Sequence, residues 1–426
     1  MNKNNIIGIF ALLLMVFGSA CQNKNNKEET QMQAQTQTQG QQLNPNMQYR
    51  DLGTTGLKVS EISIGCGAFG KMDSAAAKEY MKVALDSGIN YIDIYDANPD
   101  VRGKIGYALQ GRRDQMIIQG HIGSYWNGEK YERTRDVEKC KEGFNELLRL
   151  LGTDHIEVGM IHIADSPEEW EEIVNSPFMD YVKQLKAEGK IQHIGLSSHN
   201  AAVALTAVKT GLIEVLMFSL NPAFDRIPSD KSPWEAGDID YNTAGIDPVR
   251  MELYDYCTQH KIAITVMKVF GGGGRLLDAK LSPLKKALTP VQCISYSLAK
   301  PCVATAICGA SNIEELLSDL YYEHATDEEK DLTNLFSSTK SSTCNGQCTY
   351  CNHCSPCPVG IDIAEVNRLL DEALKHDHIP DNIMKEYKAL PHKAGECVEC
   401  GACEGRCPFS VPVKERMKKA EKVFGE

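Results

Sequence analysis

The sequence predicts an α/β fold, a closed (β/α)8 TIM barrel, followed by a small C-terminal domain of helices and loops. From Gln48 to about Tyr322, short β-branched runs alternate with amphipathic stretches of helical length, which is typical of βα units around a parallel sheet. Eight predicted strands in about 275 residues fit a closed barrel better than an open sheet. Nine of the sixteen cysteines then fall between Cys344 and Pro408, which indicates a separate cysteine-rich domain.

The barrel elements follow from the hydrophobic periodicity along the chain. The eight strands are predicted near Ile62–Gly65, Asn90–Ile94, Gln115–Gln119, Ile156–Ile163, Gln192–Leu196, Glu214–Ser219, Ile262–Lys268 and Thr305–Cys308. The helices between them include Ser74–Ser87, Thr134–Leu151, Pro167–Glu188 and Pro290–Ala299. Gly-Thr-Thr-Gly separates two short runs, Tyr49–Leu52 and Leu57–Ser60, and therefore predicts a hairpin before the first strand.

Eight of the C-terminal cysteines occur in two regularly spaced runs, and each run ends in Cys-Pro. Three thiolates spaced two residues apart can wrap one face of an iron–sulfur cube, and in the bacterial two-cluster arrangement the Cys-Pro cysteine ligates the other run's cluster. One 4Fe–4S cluster is therefore assigned to Cys348, Cys351, Cys354 and Cys407. The second is assigned to Cys397, Cys400, Cys403 and Cys357. Cys344 receives no ligand role.

Structural zinc and disulfide bonds are the alternative uses of these cysteines. A structural zinc site usually takes two pairs of ligands. It therefore explains neither a third regularly spaced cysteine nor the Cys-Pro ending. Disulfides are expected in exported proteins, but cysteines two residues apart in repeated triplets rarely suit pairwise bridging. The spacing therefore favours two clusters.

The N-terminus has the pattern of a secretory signal. Lys3 precedes an apolar run over Ile6–Phe17, which is too short to span a membrane as a mature helix, and small residues precede Cys21. Residues 1–21 therefore resemble a bacterial lipoprotein signal. The resemblance implies lipid attachment at Cys21 and a location in the cell envelope.

Composition also predicts the state of the segment after the signal and the kind of partner. Residues 22–46 are almost entirely polar and lack periodicity, which predicts a disordered tether. The alternative is that translation starts at Met47, which would leave the protein in the cytoplasm. The formal net charge of −12 and the lack of a Lys/Arg-rich block argue against a nucleic-acid partner.

The barrel segment carries motifs that resemble the aldo-keto reductase family. They occur in the family's order at Arg50–Ser60, Gly88–Asp93, Leu151–Ile156, His193–Asn200, Met267–Leu276 and Gly309–Leu316. The whole chain resembles the branch with a C-terminal ferredoxin-type segment, which gives a barrel at 47–335 and a two-cluster domain at 340–426. The resemblance implies a nicotinamide-dependent carbonyl reductase whose site lies at the C-terminal ends of the strands.

The family's catalytic tetrad of Tyr, Lys, Asp and His is altered in this chain. Asp93 matches the family's Asp and His162 its His, but Asn98 stands at the tyrosine position and His121 at the lysine position. Asn cannot act as a general acid at neutral pH, whereas an imidazole can. His121, held by Asp93, is therefore the predicted proton donor. Tyr95 lies near the tyrosine position but out of register.

The resemblance also implies the residues that would bind NAD or NADP. They are Ser197, Ser198, Met217, Lys268, Gly271, Gly272, Gly273, Ser311 and Asn312. Glu315 occupies a position that is often basic in members that hold the 2′-phosphate of NADP. An acidic side chain would repel that phosphate, so NAD, or no dinucleotide, is favoured. Met267 stands where an aromatic ring often stacks on the nicotinamide.

Three hypotheses for function follow. The first is an oxidoreductase whose two clusters pass electrons to or from a small carbonyl or hydroxyl substrate, or a nicotinamide site, in the barrel, with an unknown redox protein as partner. The second is a membrane-anchored electron-transfer or binding protein whose barrel has lost catalysis. The third is a metal-dependent barrel enzyme, because Asp93, His121, His162 and His199 could together bind zinc or iron.

Overall fold

The described part of the chain forms a parallel barrel and a separate helical domain. The computed structural model describes residues 46–229, 231, 245–332, 346, 348, 350, 354–376, 378–407 and 409–425. The predicted signal segment and almost all of the predicted tether, with Cys344, Cys351 and Pro408, lie outside the described residues.

Eight parallel strands close into the barrel, as predicted. In chain order they are β3 (Ile62–Gly65), β4 (Tyr91–Ile94), β5 (Ile117–Ile122), β8 (Ile156–Ile161), β9 (Ile191–Ser198), β10 (Val215–Ser219), β11 (Ala263–Met267) and β12 (Val303–Cys308). The last strand pairs with the first, and parallel pairing brings all eight C-terminal ends to one mouth. The register places Asp93 beside Gln119 and His121 beside Met160.

A short antiparallel hairpin covers the opposite end of the barrel. Its strands are β1 (Tyr49–Asp51) and β2 (Lys58–Ser60), which agrees with the predicted hairpin. Leu52 and Val59 are fully buried and pack in one cluster with Tyr91, Val215 and other residues at the starts of barrel strands. This apolar plug leaves the C-terminal mouth as the end where polar groups can meet solvent.

A second hairpin, which the sequence pattern did not predict, follows β5 directly. Its strands are β6 (Ser124–Trp126) and β7 (Tyr131–Arg133). Gly123 precedes it at φ 93°, and a Cβ there would lie 2.7 Å from the carbonyl oxygen of Thr134. Glycine therefore permits the tight return that places this hairpin at the barrel mouth.

The barrel helices surround the strands, and two of the predicted bounds were wrong. The α-helices of this part are Ser74–Asp86, Pro99–Ala108, Val137–Leu151, Pro167–Asn175, Pro177–Ala187, Ala201–Lys209, Pro248–Gln259, Pro290–Leu298, Ile313–Leu320 and Asp327–Lys330. The single helix predicted over Pro167–Glu188 is two helices, because Pro177 forces Ser176 into an extended conformation. The helix predicted from Thr134 begins at Val137, after Asp136 accepts a hydrogen bond from the Lys139 amide.

The C-terminal domain has its own apolar core. Its α-helices are Ile363–Ala373, Asp381–Ala389, Ala402–Arg406 and Val413–Phe424. Tyr387 and Phe424 stack with ring centroids 4.0 Å apart, and buried Val366 and Leu370 lie in the same core cluster. Among the described residues, no helix combines the length and apolar character needed to cross a membrane.

We expect Asp319→Asn to remove a pH-dependent loss of stability. Asp319 is buried, its Oδ2 atom has no hydrogen-bond partner within the described residues, and burial, together with the charge of Glu315, raises its pKa to about 8. The unfolded chain ionises this carboxyl near pH 3.9, so the native protein loses stability as pH rises from there towards 8. Thermal or urea unfolding from about pH 5 to pH 9 measures the effect.

As the pH rises through this range, the free energy of unfolding of the wild type should fall by about 1–3 kcal/mol more than that of Asp319→Asn. Parallel pH profiles for the two proteins would contradict the burial of an uncompensated carboxyl group. Glu314→Gln, an exposed change on the same helix, is the matched control and should follow the wild-type profile.

Candidate functional site

Three of the predicted catalytic side chains meet at the barrel mouth. Asp93 lies in β4, His121 in β5, and His162 directly follows β8. His121 Nε2 lies 2.9 Å from Asp93 Oδ1, and His121 Nδ1 lies 2.6 Å from His162 Nδ1. All three side chains are at least 97% buried, since their exposed fractions are 1%, 3% and 3%. The structure therefore joins these three residues into one buried, hydrogen-bonded row.

A fourth residue, Tyr131, extends this row towards solvent. Its phenol oxygen lies 2.5 Å from His162 Nε2, and its side chain comes from β7 in the hairpin over the mouth. Tyr131 is 40% exposed. Sequence reasoning missed it, because it lies far beyond the tyrosine position of the family motif. The missing phenol at that position was the one available signal to look for a tyrosine elsewhere.

With His162 neutral, the hydrogen-bond partners limit the row to two protonation patterns. An ionised Asp93 only accepts, so His121 Nε2 carries a proton. If His121 is neutral, His162 Nδ1–H donates to His121 and the Tyr131 hydroxyl donates to His162 Nε2. If His121 is an imidazolium, each of these two hydrogen bonds reverses. His162 is neutral in both patterns, and the two differ by one proton.

The surroundings keep His162 neutral. Burial is the largest cause that holds its pKa well below the ordinary value, and charges on His121, Arg135 and Arg133 act in the same direction. Arg135 donates hydrogen bonds to the backbone oxygens of His162 (2.8 Å) and Ile163 (2.6 Å). Ile163 has φ 57°, an uncommon conformation for a β-branched residue, so the chain turns sharply where it presents His162.

A second set of buried polar groups holds the Asp93 carboxylate in place through hydrogen bonds. Gln119 Nε2 donates to Asp93 Oδ1 at 2.6 Å, and the Gln119 carbonyl accepts hydrogen bonds from Tyr91 (2.7 Å) and Thr265 (3.1 Å). Gln119 Nε2 also lies 3.3 Å from the sulfur of Met217. One oxygen of the Asp93 carboxylate is therefore held by two N–H donors, from Gln119 and His121.

Asn98 and His199 are not part of this row. The Asn98 side chain accepts a hydrogen bond from the Asp100 amide at 2.9 Å and caps the helix Pro99–Ala108. His199 Nδ1 pairs with Asp165 Oδ2 at 2.9 Å. The structure gives Asn98 a capping role, and its predicted catalytic role stays a prediction.

The four residues of the metal hypothesis do not converge on one point. His121 and His162 direct nitrogen atoms at each other, and His199 is held by Asp165. Among the described residues of the barrel, no group of three or more His, Cys, Asp or Glu side chains is arranged to hold a metal ion. The geometry thus favours a proton-conducting row over a mononuclear metal site in the barrel.

The residues expected around a nicotinamide line the same mouth, but several already have protein partners. The Ser197 hydroxyl accepts a hydrogen bond from the Ile163 amide at 2.8 Å, and the Ser198 hydroxyl donates to the Ala164 oxygen at 2.7 Å. Burial lowers the pKa of Lys268, although the negative charge of Asp93 opposes this shift. Lys268 therefore lies close enough to Asp93 to sense its charge.

The two loops expected to bind a dinucleotide differ in what shapes them, which is backbone conformation in one and side-chain hydrogen bonds in the other. Gly271, Gly272 and Gly273 all have positive φ (82°, 76° and 63°), a run of left-handed conformations that glycine allows. At the start of the helix Ile313–Leu320, the Glu315 carboxylate accepts a hydrogen bond from the Ser311 amide at 2.7 Å, and Asn312 caps the helix by accepting from the Glu315 amide at 2.9 Å.

In the C-terminal domain, the thiols assigned to the second cluster line one small cavity. Cys357, Cys397, Cys400 and Cys403 line it, together with the apolar side chains Ile361, Ile363, Val413 and Met417. A set of four cysteine thiols fits a 4Fe–4S cluster. Cys357, Cys397, Cys400 and Cys403 are free thiols.

The first cluster's described ligand candidates lie in the same domain. Cys348, Cys354 and Cys407 all belong to its apolar core or pack against it, and Cys351 lies outside the described residues. The Cys407 sulfur accepts a hydrogen bond from the Val411 amide at 3.5 Å. Arg406 donates to the Cys354 oxygen at 2.6 Å and so ties the two cysteine runs together.

Two family models match the chain. The model described as "Aldo/keto reductase family" matches residues 61–289, which is more than half of the sequence. The chain belongs to the aldo/keto reductase family. The model described as "4Fe-4S dicluster domain" matches residues 347–412, and so the predicted iron–sulfur type of the C-terminal domain is also confirmed.

Individual relatives agree with the family. The chain is 30% identical over 303 residues to the uncharacterized oxidoreductase YqkF of Bacillus subtilis, which covers 66% of this chain and 94% of that protein. It is 29% identical over 161 residues to the aldo-keto reductase YhdN of the same species, over 36% and 47% of the two chains. The holo form of aldo-keto reductase AKR11C1 from Bacillus halodurans has a TM-score of 0.54 at 25% identity, over 67% and 94%. The predicted barrel and oxidoreductase class are thereby confirmed.

We expect Cys400→Ser to remove one of two clusters. Cys400 lines the cavity and is exposed, so the exchange should not disturb the apolar core. Iron and sulfide analysis after anaerobic purification should fall from about eight to about four atoms per chain, because each cluster holds about four. Cys140→Ala, a change in the barrel, should leave the iron content unchanged, and a full complement of iron in Cys400→Ser would contradict the ligand assignment.

Proposed function

We propose that the barrel mouth interconverts a small hydroxyl compound and its carbonyl form, while the C-terminal clusters exchange electrons with a redox partner. The observation that carries the proposal is the buried row of Asp93, His121 and His162 at the strand ends of an aldo/keto reductase barrel. The row offers a hydrogen-bonded acid and base in place of the family's lysine and tyrosine. Two cysteine runs in the same chain supply the redox domain.

His121 supports proton transfer because of its contacts. An imidazole accepts a proton at one nitrogen while the other remains bonded to Asp93. The altered tetrad therefore retains a site that can store and return one proton. A positioned acid–base group of this kind contributes about 10²–10⁴ to the rate of a carbonyl or hydroxyl reaction.

A nicotinamide dinucleotide is the proposed two-electron cofactor, and when bound it would supply hydride exchange with the substrate carbon. The residues that would hold it are Ser197, Ser198, Met217, Lys268, Gly271, Gly272, Gly273, Ser311 and Asn312. The Glu315 carboxylate at the start of a helix supports NAD over NADP, because it would repel a 2′-phosphate at that point.

The proposed preference for NAD predicts the effect of Glu315→Lys. Replacing this anion by a cation should strengthen NADP binding about tenfold or more, a free-energy gain of roughly 1.4 kcal/mol, while NAD binding changes little. Fluorescence titration of both dinucleotides measures the difference. Glu314→Lys places the same charge on the neighbouring exposed position and is the control. Equal responses of NADP and NAD in both variants would refute a specific role for Glu315.

The clusters, when bound, would supply single-electron transfer at potentials set by burial and hydrogen bonding. The eight assigned thiolates would hold them. The function as a whole is tested with the chain purified anaerobically from residue 22 onward, by iron and sulfide counts, dinucleotide titration and turnover of a panel of polyols and aldoses. Protein that neither binds nor turns over a dinucleotide would refute hydride chemistry in the barrel.

A second candidate is an electron-transfer or binding protein whose barrel no longer catalyses a reaction. Asn98 favours it, because this residue caps a helix where the family has its phenol. This candidate predicts that a partner reduces the clusters at the same rate in wild type, Asp93→Asn and His162→Ala. The first candidate predicts that both variants lose turnover of the hydroxyl probes.

We also propose that the protein is lipid-anchored at Cys21 in the cell envelope, with its redox partner there. The signal-like pattern before Cys21 and the polar stretch after it support this location. Cys21→Ala should shift the full chain from the membrane fraction to the soluble fraction and abolish labelling by a radioactive fatty acid. Cys140→Ala is the control. Wild-type protein in the soluble fraction, without labelling, would instead support translation from Met47.

A further inference from the structure

We propose that Tyr131 is the residue that exchanges the proton with the substrate oxygen, and that His162 and His121 pass this proton to and from the side of Asp93. The inference rests on the proposed function and identifies the group that replaces the phenol missing at position 98. The row of four residues, Asp93–His121–His162–Tyr131, is called the proton relay below.

Exposure shows which end of the proton relay meets the substrate. Asp93, His121 and His162 are buried, whereas Tyr131 is 40% exposed at the barrel mouth. A substrate that enters from solvent therefore reaches the phenol before it can reach either imidazole. His162 already uses both ring nitrogens, one for His121 and one for Tyr131. It thus has no ring nitrogen left for a substrate, unlike the His of the family's motif.

The two protonation patterns of the proton relay give Tyr131 two different capabilities. When His121 is neutral, the Tyr131 hydrogen points at His162, and the phenol oxygen is free to accept a hydrogen bond from a substrate hydroxyl. When His121 is an imidazolium, His162 Nε2–H points at the phenol oxygen, and the Tyr131 hydrogen is free to point at a substrate carbonyl. The same phenol is therefore a base in one pattern and an acid in the other.

Each proton has a defined destination in this scheme. During oxidation, the substrate O–H bond breaks and its proton goes to the Tyr131 oxygen, the Tyr131 proton goes to His162 Nε2, and the His162 proton goes from Nδ1 to His121 Nδ1. His121 becomes an imidazolium beside the Asp93 carboxylate. The carbon-bound hydrogen leaves with its electron pair to an acceptor of the nicotinamide class. Reduction reverses every one of these transfers.

The hairpin holds Tyr131 in place for this role. The rings of Tyr131 and His162 are nearly perpendicular, at 83°, with centroids 5.7 Å apart. Arg133, two residues later in β7, forms an ion pair with Glu169, and Arg135 binds the backbone at His162. Both ends of the Tyr131–His162 hydrogen bond are therefore anchored to the same side of the barrel.

The first test follows protonation and needs no substrate. The full chain in mild detergent, labelled with 15N-histidine, is compared by NMR with Tyr131→Phe and with Tyr125→Phe at alkaline pH, where imidazoles are neutral. Tyr125 lies in the same hairpin, and its phenol bonds to Glu142 at 3.0 Å. We expect wild-type His162 to carry its proton on Nδ1, and its Nε2 signal to shift in Tyr131→Phe but not in Tyr125→Phe. His162 protonated on Nε2, or unmoved by Tyr131→Phe, would overturn the proposal.

The second test measures turnover of a polyol and aldose panel with NAD. We expect Tyr131→Phe to lower kcat about 100-fold or more, with KM changed less than about threefold, and Tyr125→Phe to match wild type. A comparable loss in Tyr95→Phe, with normal kcat in Tyr131→Phe, would overturn the proposal in favour of the neighbouring phenol. If wild type turns over no probe, the proposed function fails for this substrate class, and the NMR comparison still decides the role of Tyr131.

Discussion

The hydrogen bonding of one buried carboxylate sets the polarity of the whole site. Asp93 is 1% exposed and receives N–H groups from Gln119 and His121 on the same oxygen. A carboxylate in this environment accepts and does not donate, so it fixes the proton on His121 Nε2. With that proton fixed, the protonation of His121 Nδ1 sets the direction of both later hydrogen bonds, through His162 to Tyr131. The exposed end of the row is thus linked by hydrogen bonds to a carboxylate buried at the other end.

The two ring nitrogens of His121 join the buried carboxylate to the rest of the row. A lysine ammonium only donates hydrogen bonds and so could not accept one from His162. An imidazole donates at one nitrogen and accepts at the other, and so it can connect Asp93 to His162. His162 in turn connects to Tyr131 on the hairpin after β5. The hairpin thus supplies a phenol to the row, while Asn98 caps a helix.

The C-terminal domain surrounds its candidate site with a different environment from that of the barrel mouth. The barrel mouth confines one proton within a row of hydrogen bonds, whereas the cysteine cavity is walled by apolar side chains such as Ile361 and Met417. Burial and amide hydrogen bonds to sulfur, like that from Val411 to Cys407, are the factors that adjust the potential of a cluster. A core separate from that of the barrel lets each environment be built independently.

The sequence by itself determined the features that depend on local pattern. The period of apolar residues predicted eight strands, and the cysteine spacing predicted an iron–sulfur domain. Asp93, His121 and His162 could be placed at strand ends because parallel strands end at one mouth. Only the tertiary structure showed that Tyr131 completes the row, because its three-residue strand is too short to show a period and its partner His162 is 31 residues away. Likewise, His199 turned out to pair with Asp165, a contact between neighbouring strand ends that spacing along the chain does not encode.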